Sequence, residues 1–519
     1  MPRKSSSKLH ELIHSLTKAE KRHFKLHSSF TMKNSEGKQY LRLFDVLEKE
    51  AHYDEEKVLQ LLPDVKEFFV IKNVLYNNIL KSLSALYSEK NPRMFTRSKL
   101  NEIEVLFRKG LYKQGHKQIE QTKKKAEQNE QFETLLQLIN MEQKLLVSAM
   151  SFKSLKSYKE RIRALIDETK KVLIVLENIK DYDALLLPIT RLHFEGAQFQ
   201  QKKDLIYLQE LMKNELLQSP SKALSQRAQL NFHYIWGIYY KLIHQKEKAL
   251  PYFQKRLALF DDIAVFKQEL FSDYLSTLQM ATELASETNL PEQAEEWLKK
   301  LKTLYSTKDA LSPEQQTNLF IYYFLASAEY HKTRGDYLHI LKNAKTISSG
   351  IALYSEQINP GLQQELMYYI AYAYFATGKF STAKNILQPI IENKSTGVKS
   401  DIYNLSNILY LLCLLETDDH SSVKSVAKIR LKSLDKENVY HDIDAEIIYL
   451  VIKLIGVEKK YMRRHYYDFR DYLMSRQFEM EHLKLYKYFD VFAWLEGKIH
   501  NRSIAEQQNY SIAYNPSST

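Results

Sequence analysis

At 519 residues the chain is long enough for several domains or one extended array, and only 12 Gly and 11 Pro interrupt it. No valine- or isoleucine-rich alternation bounded by turn residues is present, so the composition excludes a sheet and predicts an all-α protein of long helices and short turns. The net charge of +12 is uneven: residues 1–180 hold 35 Lys+Arg against 23 Asp+Glu, and the rest of the chain is balanced. Such a bias suits an acidic partner, nucleic acid included, although a lysine-rich solvated helix face gives the same count.

The first sixteen residues, MPRKSSSKLHELIHSL, are basic but lead into no apolar core of signal-peptide length. Apolar runs such as Ile408–Leu415 are far short of the roughly 20 residues a membrane span needs. The single cysteine, Cys413, lies in an apolar run and is expected to be a buried, inert thiol in a reducing compartment. The expectation is a soluble cytoplasmic protein with no membrane partner.

Residues 1–8 read as a disordered lead. Leu9, Leu12, Ile13 and Leu16 share one helical face, and Thr17-Lys18-Ala19-Glu20 has the form of a capping box that starts a second helix. After a polar break at Asn34–Gly37, amphipathic helices are expected over Tyr40–Lys49 and Val70–Tyr87, with a turn near Pro63-Asp64. Asn91-Pro92 ends this basic N-terminal helical cap or small domain, residues 1–95. Helix hairpins then recur, weakly around Gly110, Tyr112, Gly115 and Ile119 and around Ala197 with Asp204, and strongly at Trp236, Gly237, Tyr240, Ala249 and Phe253. Pro251 implies a late start or a kink in that second helix. Further hairpins run from Leu284 to Leu301 and from Ser312, whose Ser-Pro-Glu-Gln is a strong helix start, to Gly335-Asp336-Tyr337. Residues 456–500 read as terminal capping helices and 501–519 as a frayed tail.

The clearest hairpin is Gln364–Ile391, where apolar residues fall at helical spacing on both sides of Thr377-Gly378-Lys379. Ala371, Tyr374, Gly378, Phe380, Ala383 and Leu387 match the small, aromatic, turn-glycine, aromatic, small and large apolar positions of a tetratricopeptide repeat. The chain resembles a divergent, bacterial-type member of that family over residues 100–455, within a helical repeat array expected over residues 96–455. Equivalent second-helix positions, Ala249, Ala294, Ile340, Ala383 and Val423, are 45, 46, 43 and 40 residues apart, longer than the family's repeat of about 34. Either the helices or the loops must be extended. The resemblance implies a right-handed α-solenoid of antiparallel helix hairpins, and a scaffold that binds a protein or peptide segment rather than an enzyme.

In that family the first helix of each repeat faces a concave groove. Carried over position by position, the groove residues are Asn231, Tyr234, Ile238 and Lys241 in one repeat. The next two offer Tyr322, Leu325, Glu329 and Lys332, and then Glu365, Tyr368, Tyr372 and Phe375. Tyrosines mixed with a few charges suit a polypeptide partner. The same tyrosines also suit packing between neighbouring hairpins.

Two other readings compete. Lys123-Lys124-Lys125 and the Lys459–His465 cluster could neutralise phosphates, yet Glu127 and Glu130 beside the first suggest a solvated helix, and no nucleic-acid-binding signature accompanies them. His10-Glu11-Leu12-Ile13-His14 matches the H-E-x-x-H pattern of zinc metallopeptidases, in which two imidazoles hold the metal and the glutamate activates water. Only nine residues precede it, Thr17 and Glu20 stand where the extended motif needs glycine and a third histidine, and both histidines flank the apolar stripe as surface residues would. No catalytic set, cofactor fingerprint or metal site is assigned.

Overall fold

The computed structural model describes residues 7–31, 35–63, 65, 67–149, 155–195, 202–392, 400–437, 442–475 and 488–508. Asn34, Asp64, Ala197, most of the N-terminal lead and the tail after Gln508 lie outside them. No strand occurs among the described residues, which are almost entirely helical, and consecutive helices pack as neighbours. The chain divides into two compact units. The first comprises residues 1–179, 260–271 and 307–316, and the second 180–259, 272–306 and 317–519.

In the first unit, α1 (Lys8–Ser15), α2 (Lys18–Thr31), α3 (Ser35–Lys49), α4 (Glu55–Leu61) and α5 (Phe68–Lys90) close around Leu9, Ile13, Phe24, Phe44, Leu75 and Ile79. α2 starts where local chemistry dictates. The Thr17 N–H donates to Glu20 Oε2 at 2.7 Å and the Glu20 N–H to Thr17 Oγ1 at 3.3 Å, the reciprocal bonds of a capping box. Helix α3 begins at Ser35, inside the stretch expected to be a break. A second cluster, built on Ile103, Ile119, Leu138 and Leu165, joins α6 (Pro92–Arg108), α7 (Tyr112–Gln128), α8 (Phe132–Ala149) and the start of α9 (Leu155–Glu195). Lys123, expected on a solvated face, is buried there: its ammonium lies 2.9 Å from Glu142, itself fully buried, and 2.8 Å from Glu168. Arg161 also pairs with Glu142, and these cations hold its carboxyl low despite burial.

In the second unit, α10 (Lys202–Met212) precedes a run of hairpins. These are α11 (Gln226–Leu242) with α12 (Lys246–Asp262), and α14 (Phe271–Glu287) with α15 (Pro291–Ser306); α13 (Ala264–Glu269), between them in sequence, belongs to the first unit. Then come α16 (Pro313–Thr333) with α17 (Tyr337–Leu353), α18 (Pro360–Ala376) with α19 (Phe380–Glu392), and α20 (Ser400–Glu416) with α21 (His420–Glu437). α22 (Asp442–Leu454), α23 (Lys459–Ser475) and α24 (Val491–His500) follow. Besides its sequence neighbours, α18 touches α20 and α20 touches α22, so first helices lie side by side. α12 starts at Lys246 and carries Pro251 inside it.

The hairpin turn is the constant part. In all five, three residues separate the helices, and Ala249, Ala294, Ile340, Ala383 and Val423 are each the fourth residue of the second helix and buried. Five positions before each stands a residue with positive φ: His244, Asn289, Gly335, Gly378 and Asp418. The next N–H bonds back to the first helix, at 2.8 Å from Gln245 to Tyr240, 2.9 Å from Leu290 to Ala285, 2.8 Å from Asp336 to His331, 2.8 Å from Lys379 to Tyr374 and 3.1 Å from Asp419 to Leu414. That is the Schellman closure of a helix C-terminus. The drift in repeat length therefore arises outside the turn. Part of it is α16, 21 residues long where α14 and α18 have 17, and part is the segments joining one hairpin to the next.

Candidate functional site

The expected groove residues lie on α11, α16 and α18, all in the second unit, and the structure gives nearly every one of them a partner within the chain. Tyr234 is buried under the Arg256 guanidinium, 4.4 Å from its ring centroid, and Ile238 is fully buried. Asn231 donates to Asp183 at 2.9 Å, and Tyr322 is half-buried, its phenol pushed up by that burial. Lys241 reaches across to Glu283 of α14 at 3.0 Å. Lys332 pairs with Glu329 at 2.9 Å, and the same carboxylate accepts the Tyr369 hydroxyl at 2.6 Å, so a buried charge is satisfied from two helices.

Glu365, Tyr368 and Tyr372 turn toward a segment more than a hundred residues further on. The Tyr488 hydroxyl donates to Glu365 at 3.0 Å, and the Tyr368 hydroxyl to the Tyr488 carbonyl at 3.3 Å. The Asp490 N–H donates to the Tyr372 hydroxyl at 3.2 Å. Tyr337 of α17 donates to Gln508, whose amide donates in turn to Asp490, each at 2.8 Å. Tyr368 and Tyr372 are fully enclosed, and burial drives their phenols far above the ordinary range, with the Asp490 charge adding to the effect on Tyr372. What looked from the sequence like an open tyrosine face is therefore lined and covered by residues 488–508 of the same chain. A cavity of about 410 Å³ remains beside it, among Lys246, Glu287, Lys332, Tyr337, Tyr372 and Asp490.

Sequence reasoning missed the α14 members of this surface. Glu283 and Gln279 stand at the same offsets from Ala294 as Glu329 and Leu325 do from Ile340, and counting back from Ala294 would have found them. Gln279 donates to Glu283 at 2.9 Å. It also missed a group at the α16–α17 turn, where His331, Asp336 and His339 bring one ligand-capable atom each within 4.8 Å of one another.

The remaining sequence candidates lie elsewhere. His10 Nε2 is 2.7 Å from the Glu50 carbonyl and His14 Nε2 is 3.0 Å from that of Leu47, so these nitrogens donate to the end of α3. His10 is buried, not on the surface as expected from its place beside the apolar stripe. Of the basic residues, Lys124 and Lys125 are exposed, Lys125 with its ammonium 4.2 Å from the Phe95 ring centre, and Arg463 and Arg464 are exposed on α23. Cys413 is fully buried and its thiol is pushed up by that burial. No helix among the described residues is long and apolar enough to cross a membrane. Comparisons with protein-family models, with curated proteins and with solved structures find no match to this chain.

Proposed function

We propose that this chain is a non-enzymatic scaffold, a tetratricopeptide-like right-handed solenoid working in the cytoplasm, whose first-helix surface binds a polypeptide segment. The observation that supports this most directly is the fit of Tyr488 to that surface. Its ring lies 6.1 Å from those of both Tyr368 and Tyr369, its hydroxyl is on Glu365 and its carbonyl accepts from Tyr368. Side chains on α18 thus recognise both an aromatic residue and the backbone beside it, which is how a groove holds a polypeptide. In this reading residues 488–508 occupy the site in cis, and a partner segment with a similar aromatic and acidic pattern exchanges with them.

The nucleic-acid reading has less geometric support, because Lys21, Lys25 and Lys123 of the basic third form ion pairs with Glu48, Asp45 and Glu142. The peptidase reading has less again, with His10 and His14 both turned to carbonyl oxygens.

A fluorescent peptide with the sequence of residues 488–508 tests the scaffold reading. Binding should be weak to the wild-type chain and at least tenfold tighter to Tyr488→Ala, whose own segment is loosened. A variant that keeps its helical circular dichroism and binds no peptide would refute the proposal.

A further inference from the structure

We propose that His331, Asp336 and His339 form a binding site for a borderline divalent cation such as Zn2+, built across the turn between α16 and α17. His331 sits in the last turn of α16, Asp336 is the N-cap of α17, and His339 is the third residue of α17. The two imidazoles stack with ring centroids 3.6 Å apart and planes 10° from parallel, and His331 Nδ1 is 3.0 Å from Asp336 Oδ2. Two imidazole nitrogens and one carboxylate oxygen are the donor set that zinc takes in open sites, with water completing the shell.

The turn itself does not require these residues. All five hairpins make the same backbone closure, and the positions equivalent to His331 hold Tyr240, Ala285, Tyr374 and Leu414. Those equivalent to His339 hold Lys248, Gln293, Thr382 and Ser422. An aspartate at the third position is explained by capping alone, since Asp419 caps α21 as Asp336 caps α17 through the His339 N–H at 3.2 Å. Nothing in the repeat explains either histidine. Capping uses Asp336 Oδ1 and leaves Oδ2 directed at His331, so the carboxylate can hold the helix start and a cation together.

The three ligand atoms stand wider apart than in a bound shell, and the two near-parallel rings must turn to aim their lone pairs at one ion. Ligand atoms at about 2.0–2.1 Å from zinc in a tetrahedral shell lie roughly 3.3 Å from one another. Here all three lie within 4.8 Å, so modest rotation of the side chains closes the shell. The backbone that carries them is set by two helix ends and a Schellman turn, so the three ligands are held near one another before any ion arrives.

The test is a Zn2+ titration of the untagged full-length protein after chelator treatment, followed by isothermal calorimetry, with Co2+ absorption reporting coordination. One site per chain is expected, weakened at least tenfold in His331→Ala and in His339→Gln and less in Asp336→Asn, which retains the cap. His10→Ala/His14→Ala should leave it unchanged. Circular dichroism on each variant separates ligand loss from unfolding, and His339→Gln serves where the alanine variant fails to fold. Absence of stoichiometric binding to the wild type, or binding unchanged in a folded His331→Ala and His339→Gln, would overturn the proposal.

Discussion

Replacing Gly378 by alanine isolates what the left-handed residue contributes to a hairpin. Its φ is +79°, and a Cβ built there meets nothing within 4 Å, so the substitution changes no packing. The cost is then conformational, about 1–2 kcal/mol for an L-residue held in the left-handed region. Alanine recovers part of this by reducing the freedom of the unfolded chain, which leaves a net loss of about 1 kcal/mol. The reciprocal change is Asn289→Gly, at φ +56° in the equivalent turn before α15. Asparagine is among the residues that tolerate this conformation best, so the gain should be smaller, a few tenths of a kcal/mol. Guanidinium unfolding followed by circular dichroism measures both, with the slope against denaturant unchanged. Hydrogen exchange at Lys379, whose N–H is bonded to Tyr374 at 2.8 Å, reads the same loss locally. A neutral Gly378→Ala together with a destabilising Asn289→Gly would show that the turns are not held by left-handed geometry.

Three further outcomes follow from the packing. A methyl at Gly350, inside α17, would lie 2.2 Å from the Phe320 ring, which is buried, so Gly350→Ala should lose about 1–3 kcal/mol in the same unfolding assay and Phe320→Leu should restore part of it. Glu142→Gln takes the buried counter-charge from Arg161 and leaves Lys123 with Glu168 alone, so up to about 3 kcal/mol of stability should go, while Lys123→Met/Glu142→Leu should lose less. His233 is held at a pKa of about 4 by burial and then by the charges of Lys255 and Arg256, with no hydrogen-bond partner on Nδ1. Because its folded value lies below the ordinary 6.5, the unfolded chain takes the proton first as the pH falls. The neutral form's contribution is complete above that value and is lost between it and about 4, with a ceiling of about 3 kcal/mol. Denaturation midpoints from pH 7 to 4 should fall less steeply in His233→Gln.

Features written in adjacent residues were legible from the sequence. The Thr17/Glu20 and Ser312/Gln315 boxes each form both of their reciprocal hydrogen bonds, because a cap needs only a hydroxyl and a carboxylate or amide three residues apart. The turns at Gly335 and Gly378 announced themselves through glycine. Those at His244, Asn289 and Asp418 use the same backbone with a side chain attached, so the regular offset of five residues stayed hidden behind irregular chemistry. The surface carried by the first helices was harder for a different reason. In α18 the residues Glu365, Leu366, Tyr368–Ala373, Phe375 and Ala376 are all buried, so no polar stripe marks which side meets its neighbours and which meets residues 488–508. The pairing of Glu365 with Tyr488 spans 123 residues, and no local pattern encodes it.

The two histidine groups show the same limit from the side of chemistry. His10 and His14 match a motif because they are four apart on one helix, yet each turns a nitrogen to a carbonyl at the end of α3. His331 and His339 match no motif. They are eight apart, and on a continuous helix that spacing would set them about two turns from each other. The three-residue turn after α16 folds the chain back and stacks the rings at 3.6 Å. A ligand set carried across a hairpin is invisible to helical spacing until the turn is located, and here the turn is located by Gly335, four residues after one histidine and four before the other. The repeat offset that defines the architecture is therefore also what exposes the site. Once the other four hairpins fix what a turn needs, residues beyond that need stand out, and a histidine at both flanking positions is found in this hairpin and in none of the other four.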